Sequence, residues 1–123
     1  MSVDRVVVFV CEHGAGRSRV AAALFAAAAP AGWRAASAGL RPQDQVSGYA
    51  AALLGPAVSR LDNTPPQPLA EVPGDLLVAI DCDVPGARRW TLRAEWPKPQ
   101  VGDELRALTA GLVAELATDG PVR

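Results

Sequence analysis

Cys11 and Arg17, six positions apart with Ser18 directly behind the arginine, are the residues of this chain whose types and spacing suit joint chemistry. The stretch reads Cys11-Glu12-His13-Gly14-Ala15-Gly16-Arg17-Ser18. A short glycine-bearing loop of this kind can turn successive backbone N–H groups inward and form an anion-binding nest. A helix that starts where the loop ends points its positive N-terminus at the same spot. Arg17 adds a planar fork that matches two oxygens of a tetrahedral oxyanion. Such surroundings favour thiolate over thiol at Cys11, and the thiolate is the nucleophile. Glu12, His13, Gly14, Ala15, Gly16, Arg17 and Ser18 are therefore the candidate phosphate-binding positions. Ser18 can donate a hydrogen bond to the thiolate as it leaves in a second step, and it also suits the first turn of a helix. A nucleotide-binding Walker loop fits poorly, because the lysine and the first glycine of that pattern are missing.

The elements that must hold this loop can be read on either side of it. The β-branched and aromatic run Arg5 to Val10 predicts a strand buried on both faces, hence central and parallel. Ser18 to Ala29 predicts a first helix, stopped by Pro30 and Gly32, whose small side chains must pack close to a sheet. Trp33 to Ser37 reads as a second strand and Gln43 to Leu54 as a second helix closed by Gly55-Pro56. Residues 57–73 are proline-rich and read as loop, with one helical turn at Leu69 to Val72. Asp75 to Ile80 is the third expected strand, and Arg88 to Leu92 a short fourth. Arg93 to Gly102 reads as loop, and Asp103 to Thr118 as a last helix with an apolar stripe through Leu105, Leu108 and Leu112. The alternation predicts an α/β fold: one three-layer domain over residues 1–123, with a four-stranded, mostly parallel sheet and helices on both faces. Ligands of such sheets sit at the C-terminal strand ends, so Cys11, Gly39, Cys82 and the loop after Leu92 are expected at one edge.

The motif Val8-Phe9-Val10-Cys11-x5-Arg17-Ser18 resembles that of the low-molecular-weight protein tyrosine phosphatase superfamily, which includes related cysteine-based arsenate reductases. Ala36-Ser37-Ala38-Gly39, the third strand and the late Trp-Pro segment extend the resemblance over most of the chain. It implies the phosphotyrosine phosphatase I-like fold and hydrolysis of a phosphomonoester through a phosphocysteine on Cys11, with Arg17 as the clamp. The family's late Asp-Pro pair, which supplies the acid and base, is absent. Glu95-Trp96-Pro97 lies about where it belongs, which makes Glu95 the candidate acid/base or a solvated loop carboxylate; a shift of one residue puts Ala94 there. Trp96 stands in for the family's missing tyrosines, or Trp96 and Trp90 belong to the core. Where phosphatases usually carry Gly-Asn, this chain has His13-Gly14; arsenate-reductase-like members carry His-Asn, with Ala-Gly before the arginine as here. Gly14 can take a positive φ but lacks the asparagine's side-chain bonds. Glu12 is expected to point outward, away from an anion, and His13 shapes the entrance or is structural.

Cys82 separates the two activities. The three-cysteine relay of thioredoxin-coupled arsenate reductases is excluded, since the chain has 2 cysteines. A Cys11–Cys82 disulfide, or attack by an external thiol, remains open, and so does a plain buried cysteine. The implied partners are a phosphorylated small molecule, a phosphoprotein, or an oxyanion such as phosphate or arsenate, with a thiol or redox protein in the reductase reading. A non-catalytic phosphate-binding relative is the third reading. No metal or cofactor is expected.

Composition bounds the rest. Half of the 123 residues are apolar, enough for one packed core, and the net charge of −1 gives no basic stripe for nucleic acid. The longest apolar run, Val20 to Pro30, is too short to span a bilayer, and Asp4-Arg5 leads into the first strand with no signal-peptide pattern. Two distant cysteines read as reduced thiols, which points to the cytoplasm.

Overall fold

The computed structural model describes residues 4–118. Strand β1 (Arg5–Cys11) is followed by helix α1 (Arg17–Ala28), strand β2 (Trp33–Gly39), three 3-10 turns at Ala51–Leu53, Gly55–Arg60 and Leu69–Glu71, strand β3 (Leu76–Ile80), strand β4 (Arg88–Trp90) and helix α2 (Pro99–Thr118). The sheet order is β2-β1-β3-β4 and every pairing is parallel. The apolar run thus lies in an interior strand: Val7, Val8, Phe9 and Val10 are fully buried, because both pleat faces are covered. Register places Cys11 beside Gly39, and the ends of β1, β2 and β3 open at one edge.

The two faces are covered unequally. Val7 and Phe9 face α1 and α2, where Phe25, Leu54, Leu105 and Ile80 complete the main core. Phe9 meets Phe25 and Trp90 at ring-centroid distances of 5.9 and 5.6 Å. Trp90 is therefore a core residue. The alanines of α1 let its backbone approach β1, β2 and α2 closely. Val6, Val8 and Val10 point to the other face, where a single 3-10 turn at Leu69–Glu71 stands in for the α-helix expected on that face and, with the segment through Val84 and Ala87, covers them.

Three expectations need correction. Gln43 to Leu54 is not an α-helix; it runs through bends into the turn Ala51–Leu53. Its early amides are committed elsewhere, as described below, so they cannot bond along a helix. Helix α2 starts at Pro99, four residues before the expected Asp103. Pro99 read as a loop residue, yet proline suits the first helical position, and Gly102, also read as loop, lies where an added Cβ would sit 2.9 Å from the Leu53 carbonyl oxygen. Strand β4 ends at Trp90 rather than Leu92, because the Leu92 amide turns to the Asp81 carboxylate at 2.9 Å.

Candidate active site

The loop between β1 and α1 is organised by where its carbonyls go. Those of Cys11, Glu12 and His13 accept from the amides of Leu40, Arg41 and Gln43 at 3.1, 2.7 and 3.2 Å. The Ala15 carbonyl accepts from Ser47 at 2.8 Å, and that of Gly16 from Val20, in the first turn of α1, at 3.0 Å. Gly14 O accepts instead from a side chain, Arg19 Nε, at 3.0 Å. Every carbonyl from Cys11 to Gly16 is thus drawn outward. A planar trans peptide points its N–H opposite to its C=O, so the amides from Glu12 to Arg17 face the other way, into the hollow of the loop. The segment 40–47 gives up helical bonding to do this.

Cys11 sits at the base of that hollow and is 3 % exposed. Its Sγ lies 3.2 Å from Ser18 Oγ and 3.4 Å from the Ser18 amide, at the N-terminus of α1. Ser18 Oγ in turn bonds Ser37 Oγ of β2 at 2.7 Å. Two glycines make the loop possible. Gly14 has φ +62°, and a Cβ there would stand 2.8 Å from the Gly39 amide nitrogen. A Cβ on Gly16 would strike the Trp96 indole at 2.6 Å, so its absence lets Trp96 lie on the loop.

The resulting pocket is about 240 Å³. Cys11, His13, Ala15, Gly16, Arg17, Gln43, Ser47, Tyr49 and Trp96 line it, with Cys11 and Ala15 buried at its depth and the exposed Tyr49 at its mouth. Arg17 is a quarter exposed. Its buried Nε stands 3.1 Å from Asp81 Oδ2 as an ion pair rather than an aligned hydrogen bond. Asp81 adopts φ +53° at the end of β3, donates its amide to the Trp90 carbonyl, and receives the Leu92 amide.

Cys11, His13, Gly14, Ala15, Gly16, Arg17 and Ser18 are thus brought together. Glu12 turns outward to Arg41 at 2.5 Å, as electrostatics requires. Glu95 is not brought to Cys11: its side chain is 85 % exposed, pairs with Lys98 at 3.8 Å, and lines a separate open depression. Trp96 occupies the inward position instead. Cys82 packs on the second face and its Sγ points to Val10 O at 3.5 Å, whereas Cys11 Sγ turns toward α1. Burial, and next the neighbouring Cys11, pushes the Cys82 thiol above its ordinary range.

Sequence reasoning missed Asp81, Tyr49, Arg19 and Glu104. Glu104 on α2 accepts the amides of Arg93 and Ala94 at 2.7 and 2.8 Å, which hold its carboxyl below its usual range and anchor the loop that carries Trp96. Arg19 carried a signal, since an arginine amid the alanines of a buried helix demands a partner.

Among solved structures the chain is similar to an arsenate reductase from Archaeoglobus fulgidus, with 29% identity over 88% of this chain and 98% of that one and a TM-score of 0.71. This is the fold of the low-molecular-weight protein tyrosine phosphatase and arsenate reductase superfamily. The thioredoxin-dependent arsenate reductase of Corynebacterium glutamicum has 24% identity over 97% of this chain and 65% of that one, with a TM-score of 0.74. A low-molecular-weight protein tyrosine phosphatase from T. tengcongensis has 19% identity over 92% and 100%, with a TM-score of 0.68. No family model matches the sequence, and no curated protein does. The superfamily's neighbours are enzymes of both kinds. Among the described residues no helix is long and apolar enough to cross a membrane, and no three or more His, Cys, Asp or Glu side chains gather as a metal site would need.

Proposed function

We propose that the protein is a phosphomonoester hydrolase that works through a phosphocysteine on Cys11. The observation that carries this reading is the outward commitment of the loop carbonyls, which leaves a ring of amides around the Cys11 thiol with Arg17 beside it. The Cys11 thiolate attacks phosphorus and the P–O bond to the leaving group breaks. The negative charge on the three equatorial oxygens is met by the loop amides and the Arg17 guanidinium. Water then attacks the phosphocysteine, and Cys11 leaves as a thiolate that the Ser18 hydroxyl stabilises.

The acid/base role passes from Glu95 to His13, the one titratable imidazole among the lining residues, where no carboxylate is found among those described. Tyr49 and Trp96, the two aromatic rings of the lining, favour a planar or aromatic leaving group. The test is hydrolysis of para-nitrophenyl phosphate and of phenyl phosphate by the wild type, Cys11→Ser, His13→Asn and Glu95→Ala. Cys11→Ser is expected to abolish turnover of both. His13→Asn is expected to slow phenyl phosphate more than the nitrophenyl ester, whose leaving group needs no proton. Glu95→Ala should match the wild type. Turnover surviving in Cys11→Ser would sink the proposal.

A second reading, arsenate reduction completed by an external thiol, is supported by the 29% identity to the Archaeoglobus fulgidus arsenate reductase. Arsenite formation that requires both Cys11 and an added thiol, with no ester hydrolysis, would select it.

A further inference from the structure

Arg19 is buried to 3 % exposure, two residues past Arg17 in the first turn of α1. That turn carries no acidic residue, so Arg17 and Arg19 both stand at the positive end of the helix dipole. Two cations there are unfavourable unless a negative charge is held at the same place. Each has one carboxylate near: Asp81 for Arg17, and Asp62, at 3.7 Å and itself 66 % exposed, for Arg19. The Asp62 backbone carbonyl also accepts from Arg19 Nη1 at 2.6 Å. Arg60 and Ser37 face the small cavity beside the Arg19 side chain.

Five of the six outward carbonyls are held by backbone amides, and the sixth, Gly14, by Arg19 Nε. Gly14 is also the position with positive φ and no room for a side chain of its own. Its peptide unit is shared with Ala15, whose N–H must point opposite to the carbonyl that Arg19 holds. That opposite direction is the pocket, which Ala15 lines.

We infer that Arg19 is a positioning residue of the oxyanion site: by holding Gly14 O it aims the Ala15 amide at the bound anion, and its buried charge adds to the field that Arg17 exerts there. The inference rests on the reading of the Cys11 loop as an oxyanion site. Burial pulls the Arg19 guanidinium below its ordinary range, and the charges of Asp62 and Cys11 oppose that fall. An arginine nonetheless stays protonated, so the charge is permanent.

The test uses inorganic phosphate as the probe and protection of Cys11 from iodoacetamide as the readout, in a Cys82→Ser background so that only one thiol reacts. Arg19→Gln is expected to weaken phosphate protection by about tenfold or more, the size of a lost charged hydrogen bond. Arg19→Lys keeps the charge but cannot reach Gly14 O and the Asp62 carbonyl together, and is expected to recover part of the loss. Asp62→Asn leaves Arg19 in place and removes an opposing charge, so phosphate should bind as well or better. If Arg19→Gln does not fold, Arg19→Lys decides the matter: protection within about twofold of the wild type overturns the inference. Absence of any phosphate protection in the wild type would overturn the oxyanion reading itself, and the inference with it.

Discussion

Arg17 Nε stands 3.1 Å from Asp81 Oδ2, so the guanidinium beside the Cys11 thiol is steered from the end of β3, two strands after the one that carries Cys11. Asp81 can do this because its φ of +53° swings the side chain back over the loop, a conformation aspartate tolerates better than most residues. Replacing Asp81 by Asn keeps that tolerance and an acceptor for the Leu92 amide, and removes only the charge. Both side chains are about a quarter exposed, so solvent weakens the pair. Asp81→Asn is expected to lower kcat/KM for para-nitrophenyl phosphate by roughly three- to tenfold, about 1 kcal/mol of transition-state stabilisation. An unchanged kcat/KM would mean that the loop alone orients Arg17.

Gly14 has no room for a side chain, because a Cβ there would run into the backbone of Gly39. Alanine at this position would force a left-handed conformation, worth about 1–2 kcal/mol against it. Its Cβ would also meet the Gly39 nitrogen at 2.8 Å. Gly14→Ala is expected to lower the thermal midpoint and to lose phosphate protection of Cys11 together. A melt coincident with the wild type would show that the loop has room to relax.

The Cys82 thiol is raised above its ordinary range, mainly by burial. The folded state therefore holds its proton more tightly than the unfolded chain does. That contribution to stability is complete below the ordinary thiol pKa and is lost as pH rises through the raised value. Alkylation of the folded protein near neutral pH should modify Cys11 and leave Cys82 unreacted until the protein unfolds or the pH is raised. A mild oxidant should form no Cys11–Cys82 disulfide, because the two sulfurs turn toward different faces of the sheet. A rapid disulfide in the folded protein would favour the redox reading instead.

The sheet and its parallel character were legible because continuous β-branched apolar runs mark strands buried on both faces, and their alternation with helix-forming stretches calls for crossovers. The loop from Cys11 to Ser18 was legible for a different reason: thiol, glycines and arginine at this spacing have one shared chemical use. Gln43 to Leu54 misled because its composition permits a helix, while the amides of Leu40, Arg41, Gln43 and Ser47 are spent on the loop. Pro99 and Gly102 misled because each has a local meaning, loop, and a tertiary one, helix start and close packing. Glu95 misled by its place beside Trp96-Pro97, since neighbours in the chain can point in opposite directions and only the indole turns inward.

The sequence by itself determined the interior strand, the nucleophile candidate at its end and the anion-sized turn that follows, because these depend on residues adjacent in the chain. Tertiary structure alone decided which groups surround that turn. Asp81 on Arg17, Arg19 on Gly14, Ser37 on Ser18 and Tyr49 at the mouth all join positions distant in the chain. A contact of that kind leaves no periodic trace in the sequence; it exists only once parallel pairing has carried the ends of β1, β2 and β3 to one edge.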